Sequence, residues 1–301
     1  MPRTVTVGLD GSPESRAAAE WAAREAQLLG LPVRLVHVWE PVPEPLALAQ
    51  LLGAQTHRHW SERVPRETAE GLRLRHPGVE VTTELLSGTP AELLAKVAED
   101  AELLALGSRA LGGVGGFLIG SVGLSVVART ERPVVLVRAG EQAADEHEMD
   151  PAGIPSAATA FRPVVLGLDT SHPNGEVIEF AVEAARRRGV PLRVVHGWCP
   201  PAHYGYAMPV DAGLYGSLAA SQASDLTDVL RPWRQTYPDV EVVERSRSGS
   251  AAGLLVEAAR EASLVVVGRR VRRTPLCPYI GHVTHAVLHH AAAPVAVVAH
   301  G

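Results

Sequence analysis

The stretch "SGTPAELLAKVAEDAELLALGSR", residues 87–109, reads as a helix over 90–100 followed by a strand over 102–106 ending in the unbroken apolar run "LLAL". Strands that are apolar throughout are buried on both faces, as in a parallel sheet covered by helices. The stretch recurs as "SGSAAGLLVEAAREASLVVVGRR", residues 248–270, 161 positions on. Working outward, "ERPVVLVRA" (131–139) returns as "AAPVAVVAH" (292–300) at the same offset. "VTVGLDGS" (5–12) returns as "VVLGLDTS" (164–171), and "LPVRLVHVW" (31–39) as "VPLRVVHGW" (190–198), both offset by 159. Ordered matches at a nearly constant offset mark a tandem duplication, with two residues gained midway.

Each copy alternates strand and helix. In the first, residues 4–9 form a β-branched strand, and Pro13 opens a helix with Ala18, Trp21, Ala22, Leu28 and Leu29 at helical spacing. Gly30 ends that helix, and Pro32 precedes the strand "VRLVHVW". A long helical stretch over 46–75, bent at Pro65, then strand 79–86, helix 90–100, strand 102–106, helix 121–130 and strand 134–138 complete the copy. The fold class is therefore α/β: two tandem, doubly wound, five-stranded parallel-sheet domains of Rossmann-like form, at 1–140 and 161–301. Residues 141–160, polar, acidic and holding two prolines, read as a linker.

The bulk composition narrows the function. The chain has 301 residues, 46% hydrophobic and 20% charged, enough for well-filled cores. A formal net charge of −5 argues against general binding to nucleic acid or anionic membranes. Cys199 and Cys277, the only cysteines, provide neither a disulfide framework nor a thiolate metal site, and no secretory leader is evident, so a cytoplasmic location is expected. Residues 110–128 run 19 positions without a charge, but six are glycine and the matching segment, 271–289, holds two arginines. A membrane span is not expected there.

In doubly wound sheets ligands bind beyond the carboxyl ends of the strands, where strand order reverses. Asp10, after the first strand, is placed to accept from ribose hydroxyls, or to cap the helix at Pro13; both readings stand. "GSRALGGVGGFLIGSVG", residues 107–123, holds seven glycines and no acid. Glycines with positive φ can aim successive N–H groups at an anion, and Gly120 with Ser121 opens a helix whose positive end favours phosphate. The Walker lysine is missing, since Lys96 is the only lysine and lies on the preceding helix. The dinucleotide fingerprint and the GxSxG elbow are missing too. His282, His285 and His289 share one helix face, which suits a zinc site or a packing contact; no cysteine or acid accompanies them in that helix.

These motifs resemble the universal stress protein family, in its tandem form. Members that bind ATP carry Gly-x2-Gly-x9-Gly-Ser/Thr after the fourth strand; Gly107, Gly120 and Ser121 fit it, and Ala110 stands where the second glycine belongs. The resemblance implies that Gly8 and Asp10 lie beside ribose and base, and that Val38 offers backbone hydrogen bonds to adenine. It also implies that Gly107 and Arg109 flank ribose and phosphates, and that Gly120, Ser121 and Val122 hold the phosphates. In the second copy Gly268, Gly281 and Asp169 remain, whereas Val271, His282 and Gly197 replace the second glycine, the Ser/Thr and Val38. Arg269, Arg270, Arg272 and Arg273 add charge there, while Pro275 and Pro278 remove amide donors.

The leading expectation is a non-enzymatic, ATP-binding stress-response regulator, with nucleotide in the first copy, Mg2+ carried by its phosphates, and no resident metal or catalytic residue. The alternatives are a slow ATPase using Asp10, Glu84 or Arg109, and a scaffold that has lost nucleotide binding. Homo-oligomer formation or pairing of the two copies through the last strand of each is expected, in line with the family.

Overall fold

The computed structural model describes residues 3–40, 51–110, 117–118, 120–200, 212–271 and 280–301. Two compact units result: Met1–Ala143, and Ala144–Arg270 with Gly281–Gly301.

In the first unit the chain runs β1 (Thr4–Leu9), α1 (Pro13–Leu29), β2 (Val33–Trp39), α2 (Leu51–Arg75), β3 (Val81–Ser87), α3 (Pro90–Glu99), β4 (Ala101–Ala110), β5 (Phe117–Leu118), α4 (Ser121–Arg129) and β6 (Val134–Arg138). Five strands pair in parallel in the order β3-β2-β1-β4-β6. The chain winds outward through β1, β2 and β3, then crosses back to β4, so strand order reverses between β1 and β4. That is the doubly wound topology expected. Val5, Val7, Leu35, Leu104, Val135 and Val137 are buried, which is why these strands read as apolar throughout.

Local chemistry sets the boundaries. Ser12 caps α1, its Oγ accepting from Ser15 N at 3.1 Å, and Pro13 occupies the first turn, where a missing N–H costs nothing. Gly30 closes the helix at φ 65°, a left-handed conformation that glycine adopts without strain. Trp21 and the alanines around it form the buried face of α1. Helix α2 is described from Leu51; residues 46–50 of the expected helix lie outside the described residues. Pro65 lies within α2.

Between the middle of α1 and the end of α2, Glu20 accepts from Arg75 Nε at 2.8 Å and meets His76 Nε2 at 3.0 Å. Burial pushes the Glu20 carboxyl up, but the hydrogen bonds from Arg75 and His76 outweigh it and hold it below its ordinary value of 4.5. A carboxyl depressed in the folded state contributes stability above its unfolded pKa and loses it as pH falls. Glu20→Gln should cost about 0.5 kcal/mol near neutral pH, since Arg75 is largely exposed. In urea melts, that difference should close as pH drops below about 4.

The second unit repeats the plan: β7 (Val164–Gly167), α5 (Gly175–Arg188), β8 (Leu192–Trp198), α6 (Ala212–Thr236), β9 (Val242–Ser248), α7 (Ala251–Ala258), β10 (Leu264–Arg270), α8 (His282–His290) and β11 (Val295–His300). Its strands run in parallel in the order β9-β8-β7-β10-β11. Helices α1 and α5 end alike, at Gly30 and Gly189, but α5 is capped by Asn174 and starts three residues later in the repeat. The stretch between the copies carries defined structure. Antiparallel bridges join His147 to Phe161 and Met149 to Pro155. The His147 ring lies 4.0 Å from the Phe161 ring, over which the Arg188 guanidinium sits at 5.7 Å.

Among the described residues no helix is long and apolar enough to cross a membrane.

Candidate functional site

Because all five strands of the first sheet are parallel, their carboxyl ends share one edge. Asp10 follows β1 there, exposed, and its Oδ1 accepts from Ser12 N at 3.0 Å and from the Ser12 hydroxyl. It therefore orders the turn into α1 by bonding to the residue that caps the helix. Gly11 completes this turn at φ 81°. Val38 is half-buried on β2, one position beyond the last β1 pairing, Leu9 with His37.

The glycines prove necessary for reasons other than those expected. Gly107 does not adopt positive φ; it is a strand residue, paired with Val137. A Cβ added to it would lie 2.5 Å from the carbonyl carbon of Glu14 and 2.6 Å from Ser15 N. The first turn of α1 passes so close over β4 that only glycine fits. Gly8 is likewise a packing glycine, since its Cβ would meet Leu106 Cδ2 at 2.5 Å. Strand β4 continues through Arg109 and Ala110, which pair antiparallel with Leu118 and Phe117. Among the described residues every residue with positive φ is a glycine, so Ala110 carries no left-handed strain. Residues 111–116, with Gly112, Gly113, Gly115 and Gly116, lie outside the described residues, as does the Arg109 side chain.

Three helix starts on this edge of the first unit have described caps, and they differ. Helix α1 is closed by Ser12 and Pro13 and carries Glu14 in its first turn. Helix α3 begins with Pro90 and carries Glu92. Helix α4 has glycine as its N-cap, no side-chain cap and no acid in its first turn. Gly120 is half-buried with open space where a Cβ would be, Ser121 is exposed and Val122 is 36% exposed. The first amides of α4 and its dipole thus face an edge where no carboxylate of that turn competes for them.

Of the further carboxylates weighed for catalysis, Glu84 is bound to Arg34, whose Nε lies at 2.9 Å. Lys96 lines a cleft with Glu92, Glu99, Arg129 and Arg132, between α3 and α4.

The second unit differs at each of these points. Asp169 accepts from Ser171 N at 2.9 Å and faces His172 at 3.5 Å. At Gly268 the nearest atoms are side-chain ones instead; a Cβ there would meet the His300 ring at 3.0 Å and Val177 at 3.3 Å. Thr284, which stands where the first copy has Gly123, donates to Gly268 O at 2.8 Å. Arg272, Arg273, Pro275 and Pro278 lie outside the described residues. On α8 the rings of His285 and His289 are 4.4 Å apart. Burial first, then the His289 and His290 charges, hold the His285 pKa below its usual value.

One pair of residues was passed over in the sequence. His37 and His196, buried at matching places in the two copies, reach the carbonyls of Leu9 and Leu168 with Nδ1 at 2.8 and 3.0 Å. Their retention in both copies was the available signal.

A family model described as the universal stress protein family matches residues 1–138 and 160–299. Among similar proteins, a universal stress protein of Mycolicibacterium smegmatis is 32% identical over 300 residues, covering 98% of this chain and 96% of that one. Universal stress protein Rv2005c of Mycobacterium tuberculosis is 33% identical over 308 residues, covering 97% and 96%. Among solved structures, a universal stress protein from Archaeoglobus fulgidus matches with a TM-score of 0.71 at 18% identity, covering 99% of this chain and 98% of that one.

Proposed function

The chain belongs to the universal stress protein family, and from that premise we propose that it is an ATP-binding, non-enzymatic regulator of the stress response. ATP occupies the first unit, at the carboxyl edge of its sheet. The observation that carries the reading is the start of α4: a glycine cap, an exposed serine and no acid, beside the point where strand order reverses. Gly120, Ser121 and Val122 hold the phosphates, with Mg2+ carried by the nucleotide. Asp10 takes the ribose, Val38 the adenine edge, and Gly107 and Arg109 flank both. Gly8 and Gly107 serve by letting α1, α3 and β4 pack closely enough to shape the crevice.

The regulatory reading is favoured over a slow ATPase because the candidate general bases are engaged, Asp10 with Ser12 and Glu84 with Arg34. It is favoured over a scaffold without ligand because Ala110, the departure from the family motif, costs no backbone strain. The second unit does not bind ATP in the family manner. A bound nucleotide acts by preferring one domain arrangement or assembly over another. We assign that assembly to a homo-oligomer formed through β6 or β11, the end strands of their own sheets, and place the protein in the cytoplasm.

Chromatography of the small molecules released when the purified protein is denatured should find ATP. Incubation of the protein with ATP should release no ADP above the background rate; sustained turnover would favour the ATPase instead.

A further inference from the structure

His37 on β2 and His196 on β8 are 6% and 5% exposed, and they reach the carbonyls of Leu9, the last residue of β1, and Leu168, the residue just after β7. A carbonyl oxygen can only accept, so Nδ1 carries the hydrogen in both rings, and Nε2 is the nitrogen left to meet another group. The second unit indicates where that nitrogen points. His196 Nε2 lies 3.3 Å from Thr170 Oγ1 and 3.0 Å from Gln222 Oε1, the side-chain carbonyl oxygen. Thr170 directly follows Asp169, so Nε2 faces the turn that carries the aspartate.

In the first unit the residue after Asp10 is Gly11, which has no side chain, and its φ of 81° disfavours any replacement that has one. The hydroxyl that satisfies His196 in the second unit thus has no counterpart beside His37. Ser61, matching Gln222 in the repeat, is a shorter side chain.

We propose that His37 Nε2 forms a hydrogen bond with the ligand of the first unit, at the place where Thr170 sets its hydroxyl in the second. Thr170 and Gln222 are then a built-in substitute for ligand, holding the second copy's turn in place without one. This inference rests on the proposed binding of ATP and adds a specific contact to it.

The test is His37→Asn, whose amide N–H can still reach the Leu9 carbonyl while nothing replaces Nε2. Calorimetric titration with Mg-ATP should show about tenfold weaker binding than wild type at unchanged melting temperature, whereas His196→Asn should bind as wild type does. In nitrogen-15 spectra of the wild-type protein, ATP should move the His37 Nε2 resonance and leave that of His196 in place. This second measurement stands even if His37→Asn unfolds. Deoxy-ATP analogues and a purine triphosphate without the amino group identify the ligand group involved, since one of them should bind wild type as weakly as ATP binds His37→Asn. ATP binding with no shift at His37 Nε2 would overturn this inference and leave the ATP reading standing. Wild-type protein that binds no ATP would overturn both.

Discussion

Gly107→Ala is expected to destabilise the first unit by about 3 kcal/mol, lowering its melting temperature by roughly 10 °C. The added Cβ would lie 2.5 Å from the Glu14 carbonyl carbon and 2.6 Å from Ser15 N, and backbone atoms cannot swing away as a side chain can. Helix α1 would have to lift from β4, exposing a face that includes Trp21 and several alanines. The matched substitution in the second copy, Gly268→Ala, should cost under about 1 kcal/mol, because the His300 ring and Val177 can shift to admit a methyl group. Scanning calorimetry that resolves the two units would separate the effects. Equal losses at the two positions would mean that the close approach of α1 to β4 is not what requires glycine at 107.

The second large effect concerns binding alone. Gly120→Asp combined with Ser121→Asp puts two carboxylates at the start of α4, where the phosphates are proposed to lie. Asp is a favoured N-cap, and acids in the first turn complement the helix dipole, so the melting temperature should hold or rise by a few degrees. ATP binding should fall by at least about a hundredfold, through charge repulsion and loss of the serine hydroxyl. The opposite signs make the variant diagnostic. Loss of binding together with loss of stability would point to general damage, and retained binding would place the phosphates elsewhere.

The fold was largely legible because duplication supplied a second reading of every element. A strand such as "PVVLV" is ambiguous alone, but its return as "PVAVV" at the same offset, after the same helix, is not. The site was legible in outline, and the physical reasons were not. Gly107 looked like a flexible anion-binding turn, yet it is a strand residue pressed against the backbone of α1. Its partner, Glu14, is more than ninety positions away, and no local pattern reports so distant a contact. Gly11 stands against Thr170 in the sequence, but the later start of α5 and the contact of Thr170 with His196 are seen only in the structure. His37 and His196 escaped notice because a histidine within an apolar strand reads as a tolerated core residue until its hydrogen bond is seen.

The most direct test of the central claim is a calorimetric titration of Mg-ATP into the intact chain, first stripped of nucleotide. A tandem protein with one working copy predicts saturation at one ATP per chain. Two ATP per chain would contradict the assignment of the second unit, and no heat from protein that also releases no nucleotide on denaturation would contradict ATP binding itself.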